Sequence, residues 1–176
     1  GTGFLYVSDR ALAAGRKPLY LDMRGADWSA ADGYDLRPDA RRFENWEFAY
    51  ALLLGLGDAA WYARGVGEDV AWQRARGLAA LLRERLSGLD GVRVLDRGPA
   101  LCAIVTAEIA GRPAREVVEA LREQGINTSA IDRVSAVIDM DEKGATTVLR
   151  MSPHYYNTEA EIGVAVGALE AVLAEG

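Results

Sequence analysis

The sequence predicts an α/β protein whose second half is a small α+β domain, with helices packed on one face of a mainly antiparallel sheet. Three observations predict it. From about residue 90 the segments read β-β-α-β-β-α, without the strict strand–helix alternation of a doubly wound sheet. The third expected helix opens near Pro113 and stops at Gly125, with proline at the start and glycine past the end as helices prefer. The last helix opens at Thr158 with Glu161 three residues on, the spacing of a capping box.

The elements follow in chain order. Residues 3–8 and 18–22 each read as a strand, with Gly15 and Pro18 punctuating the link. Residues 23–40 hold Gly25, Gly33, Pro38 and several aspartates and read as a long loop, a feature that is usually functional or disordered. From Glu44 to about Arg64 the pattern is helical, and Tyr50, Leu53, Leu54, Leu56 and Trp61 give it a broad apolar face. Gly55 and Gly57 weaken that helix by about 1 kcal/mol each relative to alanine, which suggests close packing against another element. A second helix runs from about Gly67 to Leu86, with Leu78, Leu81, Leu82 and Leu89 at helical spacing and a turn at Asp90-Gly91. The period then changes. Val92–Asp96 and Ala100–Thr106 read as strands around a turn at Gly98-Pro99, and the following helix buries Val117, Val118 and Leu121. Ile126–Ile131 reads as a short strand, followed by a region rich in Asp, Ser and Lys and a strand over Thr146–Met151. Ile162, Val166, Leu169 and Leu173 form the core stripe of the final helix.

Composition bounds the function. Half of the 176 residues are hydrophobic, enough to build a core without staples. The formal net charge of −6 argues against a nucleic-acid binder, which needs a basic face. One Cys rules out an internal disulfide, and one Cys with one His cannot build a common zinc site. No apolar run is long enough to span a bilayer and no signal peptide is visible, so the expectation is a cytoplasmic protein. The chain begins inside its first expected strand without an initiator Met, which suggests a truncated or cleaved polypeptide.

The stretch Arg150-Met151-Ser152-Pro153-His154-Tyr155-Tyr156-Asn157-Thr158-Glu159-Ala160-Glu161-Ile162 resembles the terminal signature of class V aminotransferase-like enzymes, which include cysteine desulfurases, isopenicillin N epimerase-like proteins and some carbon–sulfur lyases. Gly1–Val7, Arg42-Phe43-Glu44 with Gly55-Leu56-Gly57, and Gly125-Ile126-Asn127-Thr128-Ser129 are similar to three further family segments, in the expected order. The resemblance implies a fold-type I enzyme using pyridoxal 5'-phosphate and acting on an amino acid, with sites at a homodimer interface. On that map residues 1–65 end the large cofactor-binding domain, and residues 66–176 form the small C-terminal domain including a long linking helix. Most of the cofactor pocket would then belong to a missing N-terminal portion. Without it, the apolar face over 44–64 would lie open to aggregation or a tight partner.

The resemblance assigns Arg150 to the substrate carboxylate, because a guanidinium forks onto a carboxylate with two parallel hydrogen bonds. It implies that this guanidinium faces an open cleft. Asn45 and Glu47 stand where relatives place a small hydroxyl residue that reaches the phosphate of the neighbouring subunit's cofactor. Asn45 can donate a hydrogen bond there, whereas an ionised Glu47 repels phosphate. Asn157 and Thr158 read as structural, and a catalytic role for His154 is disfavoured. The only lysines, Lys17 and Lys143, read as exposed loop residues and neither matches the family's cofactor lysine, which would precede Gly1. No residue of this chain is therefore assigned a catalytic role. Cys102 reads as a buried strand residue, and 130–144 holds no cysteine. That disfavours a desulfurase and leaves epimerase, lyase or aminotransferase chemistry, or an inactive interaction domain, as readings.

Overall fold

A computed structural model describes residues 2–175. The chain divides into two compact units, Gly1–Gly65 and Val66–Gly176.

The first unit is built from short pieces. A helix, α1 (Asp9–Ala13), is capped by Ser8, whose Oγ accepts the Ala11 N–H at 3.3 Å. Two antiparallel strands, β1 (Ala26–Ala30) and β2 (Gly33–Leu36), form a hairpin that pairs Trp28 with Tyr34. A turn of 3-10 helix over Ala40–Phe43 follows Asp39, whose carboxylate accepts the Arg41 N–H at 3.0 Å. Arg42, only 8% exposed, ties the unit together by donating from Nε to the Arg37 carbonyl and from Nη1 to the Arg16 carbonyl. Gly25 is required beneath it, since a Cβ there would sit 2.7 Å from the Arg42 carbonyl oxygen. The helix α2 (Tyr50–Val66) buries none of its residues; Leu54 is 72% exposed and Trp61 69%.

Several expectations for this unit are corrected. Residues 3–8 and 18–22 form no strand, and the strands lie inside 23–40, where a loop was expected. A strand needs a partner for its backbone groups. Here β1 and β2 satisfy each other across a tight turn at Ala31-Asp32, with Gly33 just beyond it. The helix expected from Glu44 starts at Tyr50, because residues 44–49 run in extended and bent conformation.

The second unit is an α+β layer. Its elements are α3 (Glu68–Ser87), β3 (Val92–Val94), β4 (Val105–Ile109), α4 (Ala114–Glu123), β5 (Ser129–Asp132), a 3-10 turn (Arg133–Ser135), α5 (Val137–Lys143), β6 (Thr147–Met151) and α6 (Glu159–Ala174). The sheet order is β3-β4-β6-β5, and every neighbouring pair is antiparallel. Leu78, Leu82 and Leu86 of α3, Val117 and Leu121 of α4, and Leu169 and Val172 of α6 pack against Val105, Ala107, Leu149 and Met151 of the sheet. Each buried leucine, valine or methionine among them contributes about 1.5–3 kcal/mol of hydrophobic stabilisation. The other sheet face carries a smaller cluster of Leu95, Met140, Ala145 and Val148 beneath α5. Strand alternation puts Leu149 and Met151 in the main core and Arg150 on the opposite face, the side of Val148.

The β-β-α-β-β-α order holds, with one unforeseen element: α5 stands where the Asp-, Ser- and Lys-rich region was read as a loop. Gly144, left-handed at φ 63°, ends it. The strand expected over Ala100–Thr106 is displaced, since β4 begins only at Val105 and residues 100–104 are irregular. Among the described residues no helix is long and apolar enough to cross a membrane.

Candidate functional site

Arg150 lies on β6 between Thr106 of β4 and Ser129 of β5, its register partners. Its side chain is half-buried. Nε donates to Ser152 Oγ at 3.2 Å, and among the described residues neither Nη1 nor Nη2 has a hydrogen-bond or ion-pair partner. The two terminal nitrogens are therefore free to fork onto an acid. The neighbouring hydroxyl of Thr106 is committed, donating to Asp96 Oδ1 at 2.6 Å, whereas Ser129 is exposed.

Residues 152–158 leave β6 as a tight loop. Asn157 Oδ1 accepts the His154 N–H at 2.8 Å, and the Asn157 N–H returns to the His154 carbonyl at 3.0 Å. Thr158 and Glu161 form the capping box of α6 in both directions, at 3.2 and 2.7 Å. Asn157 and Thr158 are thus structural. The exposed His154 ring packs against Tyr155 and Tyr156, with centroids 4.7 and 4.9 Å away, and the two tyrosine rings also meet each other. A groove of about 560 Å³ runs beside this loop, lined by Gly125–Thr128, Met151, Ser152 and Tyr156 among others. Thr128 Oγ1 is buried there without a hydrogen-bond partner. Arg150 does not line the groove, but Ser152, which holds its Nε, does.

Two arginines of α3 brace the loops that flank this sheet. Arg74 pairs with Glu159 and donates from Nη2 to the Asn157 carbonyl at 3.0 Å, fastening the start of α6 to α3. That guanidinium holds the Glu159 carboxyl down at about 2, from an ordinary 4.5. A depressed carboxyl stabilises the fold above its unfolded-state value and loses that contribution as pH falls through the folded one. We expect the start of α6 to loosen between pH 4.5 and about 2, followed by amide hydrogen exchange at residues 158–162. Replacing Arg74 with Ala is expected to remove this part of the pH response; an unchanged exchange profile counts against the brace. Arg83 makes the second brace. It donates from Nε to Asp96 at 2.7 Å and from Nη2 to the Cys102 and Ile104 carbonyls at 2.8 and 2.7 Å. Neither brace was foreseen from the sequence, which gives no spacing signal for side chains that meet across elements.

Cys102 is corrected from a buried strand residue to an exposed one in the irregular segment ahead of β4. The apolar run Leu101–Ile104 imitates a strand, but the Cys102 and Ile104 carbonyls are taken by Arg83.

In the first unit, Asn45 and Glu47 are exposed, and among the described residues neither makes a side-chain hydrogen bond or ion pair. Between them, the Trp46 N–H donates to Asp22 Oδ1 at 2.8 Å. Arg24 lies over the Phe48 and Trp46 rings, 5.3 and 5.9 Å from their centroids, and 3.6 Å from Glu44. Its Nε is buried and unpartnered. Arg24 thus sits between an acid and two aromatic rings in this segment.

The lysines do not fit a Schiff base. Lys17 is exposed and donates to Tyr34 Oη at 2.9 Å. Lys143, expected in an exposed loop, ends α5 instead, with its side chain 12% exposed and paired with Asp139 at 2.7 Å. Each amine thus already has a partner within the protein.

A family model described as Aminotransferase class-V matches residues 1–164. A probable cysteine desulfurase of Xylella fastidiosa is 29% identical over 138 residues, 78% of this chain and 33% of that protein. Among solved structures, the cysteine desulfurase CsdA of Escherichia coli shares the fold with a TM-score of 0.85 at 24% identity, over 97% of this chain and 42% of that one. The cystine C–S lyase C-DES, solved with its product cysteine persulfide, has a TM-score of 0.74 at 21% identity, over 94% of this chain and 41% of that one. A C-DES mutant carries glycine covalently linked to its PLP cofactor. The chain spans less than half the length of these proteins.

Proposed function

The chain belongs to the class-V aminotransferase family of pyridoxal-phosphate enzymes, and from that premise we propose that it forms part of an enzyme cleaving the carbon–sulfur bond of a cysteine-type amino acid, with Arg150 holding the substrate's α-carboxylate. The observation that carries the reading is the guanidinium of Arg150, fixed at Nε and open at both terminal nitrogens. Carbon–sulfur chemistry is chosen over epimerisation or transamination because the relatives named above are cysteine desulfurases and a C–S lyase. The absence of a cysteine from 130–144 weighs less once Cys102 is found exposed.

Neither lysine here is placed to bind the cofactor, so its lysine belongs to polypeptide outside these 176 residues. That polypeptide also covers α2, an apolar helix with no buried residue in its own unit. In a homodimer, the Asn45–Glu47 segment would approach the cofactor phosphate of the neighbouring subunit, with Asn45 able to donate a hydrogen bond to it.

The test is product identity. The protein in its natural length, supplied with pyridoxal phosphate and L-cysteine, is expected to yield alanine, with the sulfur trapped as a protein persulfide or released as sulfide by a reductant. Pyruvate with ammonia would make it a lyase of another kind, and a D-amino acid would make it an epimerase. One observation favours a second reading, an inactive interaction domain: both lysines are engaged elsewhere. A natural-length protein that never develops the absorbance of a lysine-bound cofactor supports that reading instead.

A further inference from the structure

Arginine takes a carboxylate in two ways: side-on, through Nε and one Nη, or end-on, through both Nη atoms. In this protein Nε is already donated to Ser152 Oγ at 3.2 Å. The backbone at Ser152 is held, because its neighbours Met151 and Pro153 are both buried and the proline ring sets the following backbone angle. The Ser152 side chain itself is exposed, and the Arg150 side chain it meets is half-buried. Without that acceptor, the long arginine side chain would sample several rotamers and offer either edge.

We infer that Ser152 is a positioning residue, which closes the side-on edge of Arg150 and commits it to end-on capture of a carboxylate. The inference rests on the proposed role of Arg150 and adds which edge of it binds and what holds that edge. Ser152 itself does not touch the ligand.

The experiment titrates the isotope-labelled protein with L-alanine, an amino acid with no sulfur to lose, and follows the arginine side-chain resonances by NMR. In the parent protein the Arg150 Nε–H is expected to be protected from exchange and to shift little on saturation. Ser152→Ala is expected to weaken L-alanine binding roughly three- to tenfold, the loss of one net hydrogen bond, and to expose the Nε–H. Ser152→Thr, which restores the hydroxyl, is expected to recover both. Arg150→Gln is expected to abolish saturable binding. If Ser152→Ala binds L-alanine as tightly as the parent while Arg150→Gln does not bind, the positioning role falls and the anchor stands. If Arg150→Gln binds like the parent, or the parent shows no saturable response, the anchor fails and this inference with it.

Discussion

Replacing Arg150 with Ala is expected to lower kcat/KM of the natural-length enzyme by roughly two to three orders of magnitude, equivalent to about 3–4 kcal/mol, as for truncating one partner of a desolvated charge pair. The loss should fall mainly on KM if the fork binds ground state and transition state alike. Arg150→Lys is the sharper comparison. A lysine keeps the charge but offers a point donor in place of a planar fork, so it is expected to recover only about tenfold. The fold should tolerate both changes, because among the described residues the guanidinium makes one hydrogen bond and no ion pair. Steady-state kinetics with circular dichroism as the folding control check this. A variant with unaltered KM and kcat would show that the substrate acid is held elsewhere.

Replacing Asp96 with Ala is expected to cost the 66–176 unit about 3–5 kcal/mol of stability. Its side chain is 9% exposed and that of Arg83 12%. One carboxylate accepts three hydrogen bonds, from Arg83 Nε and from the Thr106 N–H and Oγ1 at 2.7, 3.0 and 2.6 Å. Removing it leaves a nearly buried guanidinium without its counter-charge and two donors of β4 without an acceptor. The urea midpoint of the chain reads the loss. Because the same Arg83 holds the Cys102 and Ile104 carbonyls, the change should also speed alkylation of Cys102. A midpoint within error of the parent would reduce the Arg83–Asp96 pair to surface decoration.

The elements legible from the sequence are those fixed by local chemistry. The capping box of α6 involves residues three apart, and α4 is bracketed by Pro113 and Gly125, the latter left-handed at φ 78°. The leucines of α3 recur on one helical face, and their burial follows from that period alone. The elements missed depend on partners. The hairpin of β1 and β2 is exposed along most of its length and so lacks the apolar alternation that marks a half-buried strand. Its one local signal, Asp32-Gly33, was read as loop punctuation. In β4 the alternation is present, Val105, Ala107 and Ile109 being buried, but the preceding apolar run drew the start of the expected strand five residues too early. The α5 helix is seven residues long and too short for a periodic signal.

The candidate site was legible only in part. Arg150 came from a motif and is observed with two open donors. Ser152 stood within the same quoted motif without an assigned role. Arg74, Arg83 and Asp96 carry no signature at all, because their partners lie far away in sequence, 85 residues for Arg74 with Glu159. Asn45 and Glu47 are brought to the surface of the first unit with no neighbour that fixes their role.

The most direct measurement is a crystal structure of the natural-length protein soaked with L-alanine or a comparable amino acid. The account predicts both carboxylate oxygens within about 2.7–2.9 Å of Arg150 Nη1 and Nη2, with Nε still on Ser152. An amino acid bound with its carboxylate on another cation, and Arg150 turned to bulk water, would contradict it.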